Sequence, residues 1–331
     1  MARAGCHRRL RGSIRHRECP TRDVGSFVAA GFEAVDVTAF APRPWLPMAH
    51  PGQAGGMAEP LTVMAVHAHP DDESSSTGGI LARYSSEGIR TVVVTCTNGE
   101  LGDAPGGIKP GDLGHDESVV VATRTAELEA ACRLLGVSHL ERLGYRDSGM
   151  PDWEHKDRPD AFCNIPTGVV AERLGELFDT YRPDVVVTYD DSAIYNHPDH
   201  MKASEVTVAA VARFAIPKKL YFTAMSRRNW DKIRTILEEQ GMEVPFPPPT
   251  PELTRRLDEL EARITTSVDV LSFADTKRAA LAAHASQLEE SFFSRFGPDV
   301  FNLIFGEETF IRVSDTTGAR LPETDLLAGL R

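Results

Sequence analysis

Residues 61–73 read LTVMAVHAHPDDE. The run from Leu61 is continuously apolar or β-branched until His67 and is stopped by Pro70, which predicts a short strand buried on both faces. A strand buried on both faces belongs in a parallel sheet covered by helices. The same run ends in two histidines, a proline and three acids, so polar chemistry begins where the backbone must turn.

The rest of the chain repeats this order of strand, polar loop and helix. SSSTGGILARYSSEG, at residues 74–88, reads as a helix opened by a Ser/Thr-rich cap and closed at Gly88. TVVVTC, at residues 91–96, is a second buried strand, and the long Gly/Asp-rich segment NGELGDAPGGIKPGDLGHD after it suits the rim of an active site. A helix over residues 117–135, the short strand HLERLGY, a polar loop RDSGMPDWEHKDRPD and a helix over residues 169–180 follow. Next come the strand DVVVTYD, the loop DSAIYN, a helix from Pro198 and the strand KKLYFTAM. This alternation predicts an α/β fold, a Rossmann-like and mostly parallel sheet with helices on both faces. The organisation expected is an N-terminal extension over residues 1–60, a catalytic core over 61–225, and over 226–331 a smaller C-terminal appendage on the substrate side that also completes the α/β domain. In the last part TTSVDV is strand-like and FADTKRAALAAHASQLEE helical, and beyond residue 290 no element is predicted.

Bulk properties narrow the function classes. Of 331 residues, 41% are hydrophobic and 25% charged, as in ordinary globular proteins. The net charge of −12 argues against a nucleic-acid partner, because phosphate binding draws on accumulated Lys and Arg. Five scattered cysteines without a CxxC pair suggest reduced thiols and a cytoplasmic setting rather than a disulfide framework. No apolar run approaches the roughly 20 residues of a membrane-spanning helix. The Arg-rich start does not lead directly into a hydrophobic segment as a signal peptide would. A homo-oligomer and a monomer are equally compatible with this surface.

Two turns share the sequence HPD, one at residues 69–71 and one at 197–199. Either alone reads as an ordinary turn in which proline fixes the backbone and the acid caps a helix. Both follow strands, and in open parallel sheets ligands gather beyond the C-terminal strand ends. His69 and Asp72, three positions apart, can meet at one centre while Asp71 points elsewhere, leaving one carboxylate for a metal and its neighbour for protons. YNHPDH, at residues 195–200, offers further imidazoles. Two histidines and a carboxylate, with water completing the shell, is an established catalytic zinc arrangement, and Fe2+ accepts the same donors. His67 alternates with His69 across the strand and reads as a buried hydrogen-bonded residue. His284, in an Ala-rich helical stripe, is read equally as a packed and as a cleft residue.

AHPDDE at residues 68–73 and HPDH at 197–200 together resemble the LmbE-like, or N-acetylglucosaminyl-phosphatidylinositol de-N-acetylase, superfamily. TCTNGELG, ATRTAELEAACRLLGV, GYRDSGM and ALAAHASQLE are most similar to its mycothiol enzymes, the S-conjugate amidase and the pathway deacetylase. The resemblance implies Zn2+ held by His69, Asp72 and His200, with Asp71 as general base. It implies Tyr195 stabilising the oxyanion, His197 nearby for electrostatics or proton transfer, and Asp199 orienting His197 or the metal shell. Glu100, Arg124, Asp147 and Met150 would contact the sugar. The activity implied is amide hydrolysis on an amino-sugar scaffold, foremost cleavage of a mycothiol S-conjugate to a mercapturic acid and glucosaminyl-inositol, with deacetylation of an N-acetylglucosaminyl compound as the alternative. The loop after TCTNGELG and the Pro-rich residues 245–249 depart from the family pattern. A nucleotide-binding module would need a GxGxxG turn where this chain has HPDDESSSTGG, and a noncatalytic sugar binder would have no use for the metal donors or Asp71.

Overall fold

All six residues of β1 (Thr62–His67) are buried, and their side chains divide between two helical layers. Met64, Val66 and Ala68 pack with one layer, whose helices are α3 (Thr167–Tyr181) and α4 (Pro198–Phe214). Ala65 packs with the other, formed by α1 (Asp72–Ser86), α2 (Glu117–Leu134) and α7 (Ala274–Ala282). A strand covered on both faces needs no polar alternation, which is why its sequence is an unbroken apolar run. The computed structural model describes residues 60–192, 194–241, 243–244, 248–288 and 296–331. The expected extension therefore lies outside the described residues except for Pro60, and the Pro-rich segment lies partly outside them.

The remaining strands are β2 (Arg90–Thr97), β3 (His139–Tyr145), β4 (Val185–Tyr189), β5 (Lys219–Thr223), β6 (Thr266–Asp269) and β7 (Glu307–Asp315). They form one sheet in the order β3-β2-β1-β4-β5-β7-β6. The first five in that order run parallel, and β7 pairs antiparallel with both β5 and β6. The fold is thus α/β, a mostly parallel sheet with helices on both faces, and smaller helices α5 (Arg227–Glu239), α6 (Pro251–Arg263), α8 (Ala285–Leu288) and α9 (Pro298–Phe305) gather late in the chain. Among the described residues no helix is long and apolar enough to cross a membrane.

Strand order reverses between β1 and β4, since β2 and β3 continue to one side and β5 to the other. At such a switch point the loops leaving the two central strands part and open a crevice. The loops after β1 and β4 are the ones that carry the two HPD turns.

Three local readings change. α1 starts at Asp72, two residues before the predicted Ser/Thr cap, and its cap residue Asp71 makes no side-chain capping hydrogen bond. The helix predicted over residues 273–290 breaks at Ala283 and His284, between α7 and α8. β7 has no counterpart in the sequence reading. Its partners β5 and β6 lie far away along the chain, and long-range pairing leaves little local periodicity.

Candidate metal centre

β1 delivers His69 and Asp72 to the crevice, and β4 with the first turn of α4 delivers His200. The three donate one ligand atom each from positions all within 4.8 Å of one another. His69 Nδ1 lies 3.4 Å from Asp72 Oδ2, and His200 Nε2 lies 3.4 Å from Asp72 Oδ1. Donors about 2.0–2.2 Å from a tetrahedral ion stand about 3.4 Å apart, so the separation of His200 Nε2 from Asp72 Oδ1 matches an edge of such a shell. Asp72 and His200 line a cavity of 550 Å³, which leaves room for a further ligand from solvent or substrate.

His69, Asp147, His197 and Asp199 form a second donor group that shares His69. It fits a catalytic ion poorly. The Asp199 carboxylate is already occupied by the Ser148 backbone N–H at 2.9 Å and the Ser148 hydroxyl, and none of the four lines the cavity. Asp199 Oδ2 instead meets His69 Nε2 at 3.2 Å, and Asp147 Oδ1 stands 3.6 Å from the same nitrogen. These acids fix the far side of the imidazole and leave Nδ1 free to face Asp72, the usual support of a ligating histidine.

Tyr189, the last residue of β4, completes the scaffold. Its hydroxyl donates to Asp72 Oδ2 at 2.7 Å and accepts the Ala68 N–H at 2.7 Å. The His69 N–H also donates to Asp72 Oδ2, at 2.8 Å. Oδ2 is thereby saturated and Oδ1 remains toward His200. The Tyr189 ring stacks on His200 with centroids 4.0 Å apart. Sequence reasoning passed over Tyr189 and Ser148. The one signal for Tyr189 was its place at the C-terminal edge of an otherwise aliphatic strand.

The electrostatics favour a cation. Burial alone would raise Asp72 and depress His69, yet His200 and His69 hold the Asp72 carboxyl well below its ordinary range, and Asp147, Asp199 and Asp72 raise His69 well above its own. Acids that attract a proton to this cluster attract a divalent ion equally. A buried His/Asp cluster able to coordinate a divalent metal is therefore present.

Asp71 differs from its neighbour. Burial raises its carboxyl to about 6, Asp72 adds to the rise, and Arg124 opposes it. The backbone at Asp71 sits at φ 99°, a conformation costly for a residue with a Cβ. Its side chain lines the cavity and remains 30% exposed.

His197 caps α4, its Nδ1 accepting the Asp199 N–H at 3.2 Å. Burial, with His69 and His200 adding positive charge, lowers it to about 3. Tyr195 lies on the cavity rim, exposed, its ring 4.9 Å from that of His200. Arg124 spends its guanidinium on the Gly99 carbonyl at 2.8 Å, the Pro70 carbonyl at 2.5 Å and Asp71 Oδ2 at 3.3 Å. Glu100 is buried 3.7 Å from Arg146, with Oε2 unpartnered. Burial raises its carboxyl. Met150 is exposed, and neither it nor Glu100, Arg124 or Asp147 lines the cavity. His67 is buried against Thr77 at 2.9 Å and Tyr189 at 3.3 Å, and burial lowers it to about 4.

Residues 64–211 match the family described as GlcNAc-PI de-N-acetylase, PIG-L. The chain is 38% identical over 281 residues to a 1D-myo-inositol 2-acetamido-2-deoxy-alpha-D-glucopyranoside deacetylase of Saccharomonospora viridis, over 81% of this chain and 100% of that one. It is 32% identical over 302 residues to a mycothiol S-conjugate amidase of Streptomyces coelicolor, over 83% and 99%. Among solved structures, N,N'-diacetylchitobiose deacetylase from Pyrococcus horikoshii superposes with a TM-score of 0.54 at 18% identity, covering 77% of this chain and 84% of that chain. At that identity the likeness speaks for the fold alone.

Proposed function

The chain belongs to the GlcNAc-PI de-N-acetylase (PIG-L) family, and on that premise we propose that it is a zinc-dependent amidase that cleaves a mycothiol S-conjugate to a mercapturic acid and glucosaminyl-inositol. Family membership and the donor cluster together support the broader activity, hydrolysis of an amide on an amino-sugar. The finer reading rests on one observation, the lining of the cavity. The cavity that Asp71, Asp72 and His200 line also takes Trp230, Ile233, Leu257, Leu281 and Phe305 from four helices of the late chain, which form an apolar patch among polar residues such as Asn229, Lys277 and Glu308. An acetyl group would leave such a surface uncovered, whereas an acyl arm carrying a thioether substituent would bury against it.

In this reading His69, Asp72 and His200 hold the zinc. Two imidazoles and a carboxylate without thiolate suit it, and Fe2+ is the competing ion for the same donors. A zinc ion held there supplies Lewis acidity toward water and toward the amide carbonyl. Asp71, ionised at neutral pH, takes a proton from the water that attacks the carbonyl carbon. The Tyr195 hydroxyl donates to the carbonyl oxygen as negative charge grows there. The carbon–nitrogen bond then breaks, and the nitrogen needs a proton to leave as an amine. Burial and the positive charge of the neighbouring cluster disfavour a protonated His197, which favours return of the proton from Asp71 over its delivery by His197. Asp199 holds His69 from behind. Glu100, Arg124, Asp147 and Met150 are proposed for the sugar side, with Arg124 also steadying the Asp71 turn.

A second reading is deacetylation of an N-acetylglucosaminyl compound, favoured by the name of the relative at 38% identity. Zinc-loaded protein offered an S-conjugate and the N-acetylated glucosaminyl-inositol side by side decides between them. A higher kcat/KM for the conjugate supports the amidase, and a higher value for the acetylated sugar replaces that reading with the deacetylase.

A further inference from the structure

Glu73 and His284 are fully buried, line up beside the centre, and have no part in the chemistry above. They come from opposite ends of the chain, Glu73 from the first turn of α1 and His284 from the break between α7 and α8. His284 Nε2 lies 2.7 Å from Glu73 Oε1, which also accepts the Ser74 hydroxyl at 2.5 Å. The other oxygen, Oε2, accepts the backbone N–H of Asp71 at 3.0 Å. One carboxylate thus ties the α7–α8 break to the turn that carries Asp71.

That turn needs holding. An aspartate at the cap of a helix ordinarily folds its carboxylate onto the helix's own first N–H groups. Asp71 does not, and its φ of 99° directs the carboxylate into the cavity. Contacts that oppose relaxation to the ordinary cap must grip the backbone of Asp71 itself. Glu73 grips its N–H, and Arg124 grips the preceding carbonyl of Pro70.

A fully buried pair of ionisable groups is a weak device for stability, since apolar residues of the same volume serve as well or better. His284 is not even fully satisfied, for its Nδ1 has no hydrogen-bond partner. The hydrogen bonding of the imidazole is confined to Nε2 and hence to Glu73, while its ring also borders the cavity. We infer that Glu73 and His284 are positioning residues for Asp71: His284 pins the Glu73 carboxylate, and Glu73 pins the Asp71 N–H, so that the base faces the substrate instead of capping α1. The inference rests on Asp71 being the base.

The test compares H284L with H284Q, whose amide nitrogen can still meet Glu73, in the full zinc-loaded chain. Turnover on the better of the two amide substrates is read alongside KM, bound zinc and solvent exchange of the Asp71 amide by NMR. H284L should lose about 10- to 100-fold in kcat, the penalty of a misplaced group, with KM and zinc content unchanged. The Asp71 amide should lose protection, and H284Q should restore most of both. Unchanged kcat in H284L overturns the inference, as does an H284Q protein no better than H284L, or loss of zinc in step with activity. If H284L fails to fold, E73D decides, because its shortened side chain cannot span both partners, and wild-type kcat and amide protection there refute the proposal. The exchange readout needs no substrate, so a chain inactive on both amides that still loses protection in H284L retires the function and keeps the positioning role.

Discussion

Replacing Tyr189 with Phe tests the scaffold of the donor cluster more sharply than removal of a donor, because it deletes one oxygen and keeps the ring that stacks on His200. The hydroxyl has two short contacts, one to a carboxylate and one from a backbone N–H, both at 2.7 Å. Loss of the hydrogen bond to the Asp72 carboxylate costs about 1.5–3 kcal/mol, and the buried Ala68 N–H left without a partner about 1–3 kcal/mol. Because the two losses overlap and the site relaxes, the net is about 2–4 kcal/mol. Metal-free protein should therefore melt lower by about 3–7 °C. Zinc binding should weaken by about 10- to 100-fold, since Asp72 loses the partner that saturates Oδ2 and turns Oδ1 toward His200. Chelator competition gives the zinc affinity, and calorimetry of the apo protein gives the melting shift. A Y189F protein with a zinc Kd within about twofold of wild type would refute the argument that this hydroxyl orients Asp72.

Three further outcomes follow from the site. D71N should keep its zinc yet lose about 100- to 10,000-fold in kcat, and wild-type kcat should fall toward acid pH, because the base works only while its carboxylate is ionised; the fall should come below the value of about 6 that the metal-free site gives Asp71, since a bound cation favours the carboxylate. A stopped pH profile of both proteins checks this, and an undiminished D71N rate at pH 7 rejects Asp71 as base. H200A removes one of three donors and should retain well under one zinc per chain after dialysis, measured by elemental analysis. Y195F should hold its metal and lose about 2–4 kcal/mol of transition-state stabilisation, read from kcat/KM, if its hydroxyl meets the developing oxyanion.

The late chain shows how position in sequence misleads about position in space. TTSVDV was legible as a strand, yet EETFIRVSD was not, and it is β7 that joins β6 to the parallel strands through β5. Helices α5, α6, α7 and α9 from the same third supply the apolar patch in the cavity that Asp72 and His200 line. α9, like β7, lies beyond the last element predicted from the sequence, and where a helical pattern is legible, as in α7, it carries no information on which crevice the helix faces. His284 stayed undecided for the same reason. A helical stripe places it on a buried face, and only the fold brings it to Glu73.

From the chain alone came the parallel α/β architecture, because strands buried on both faces must be apolar throughout. So did the two HPD turns at strand ends, because proline and paired acids interrupt those runs. Tertiary structure decided the rest: that β1 and β4 are neighbours at the switch point, that the Tyr189 hydroxyl holds Asp72, and that Asp147 and Asp199 back His69. Donor geometry of this kind is a matter of 3–4 Å between atoms. It is set by strand register and by hydrogen bonds such as those of Tyr189, which no spacing along the sequence encodes.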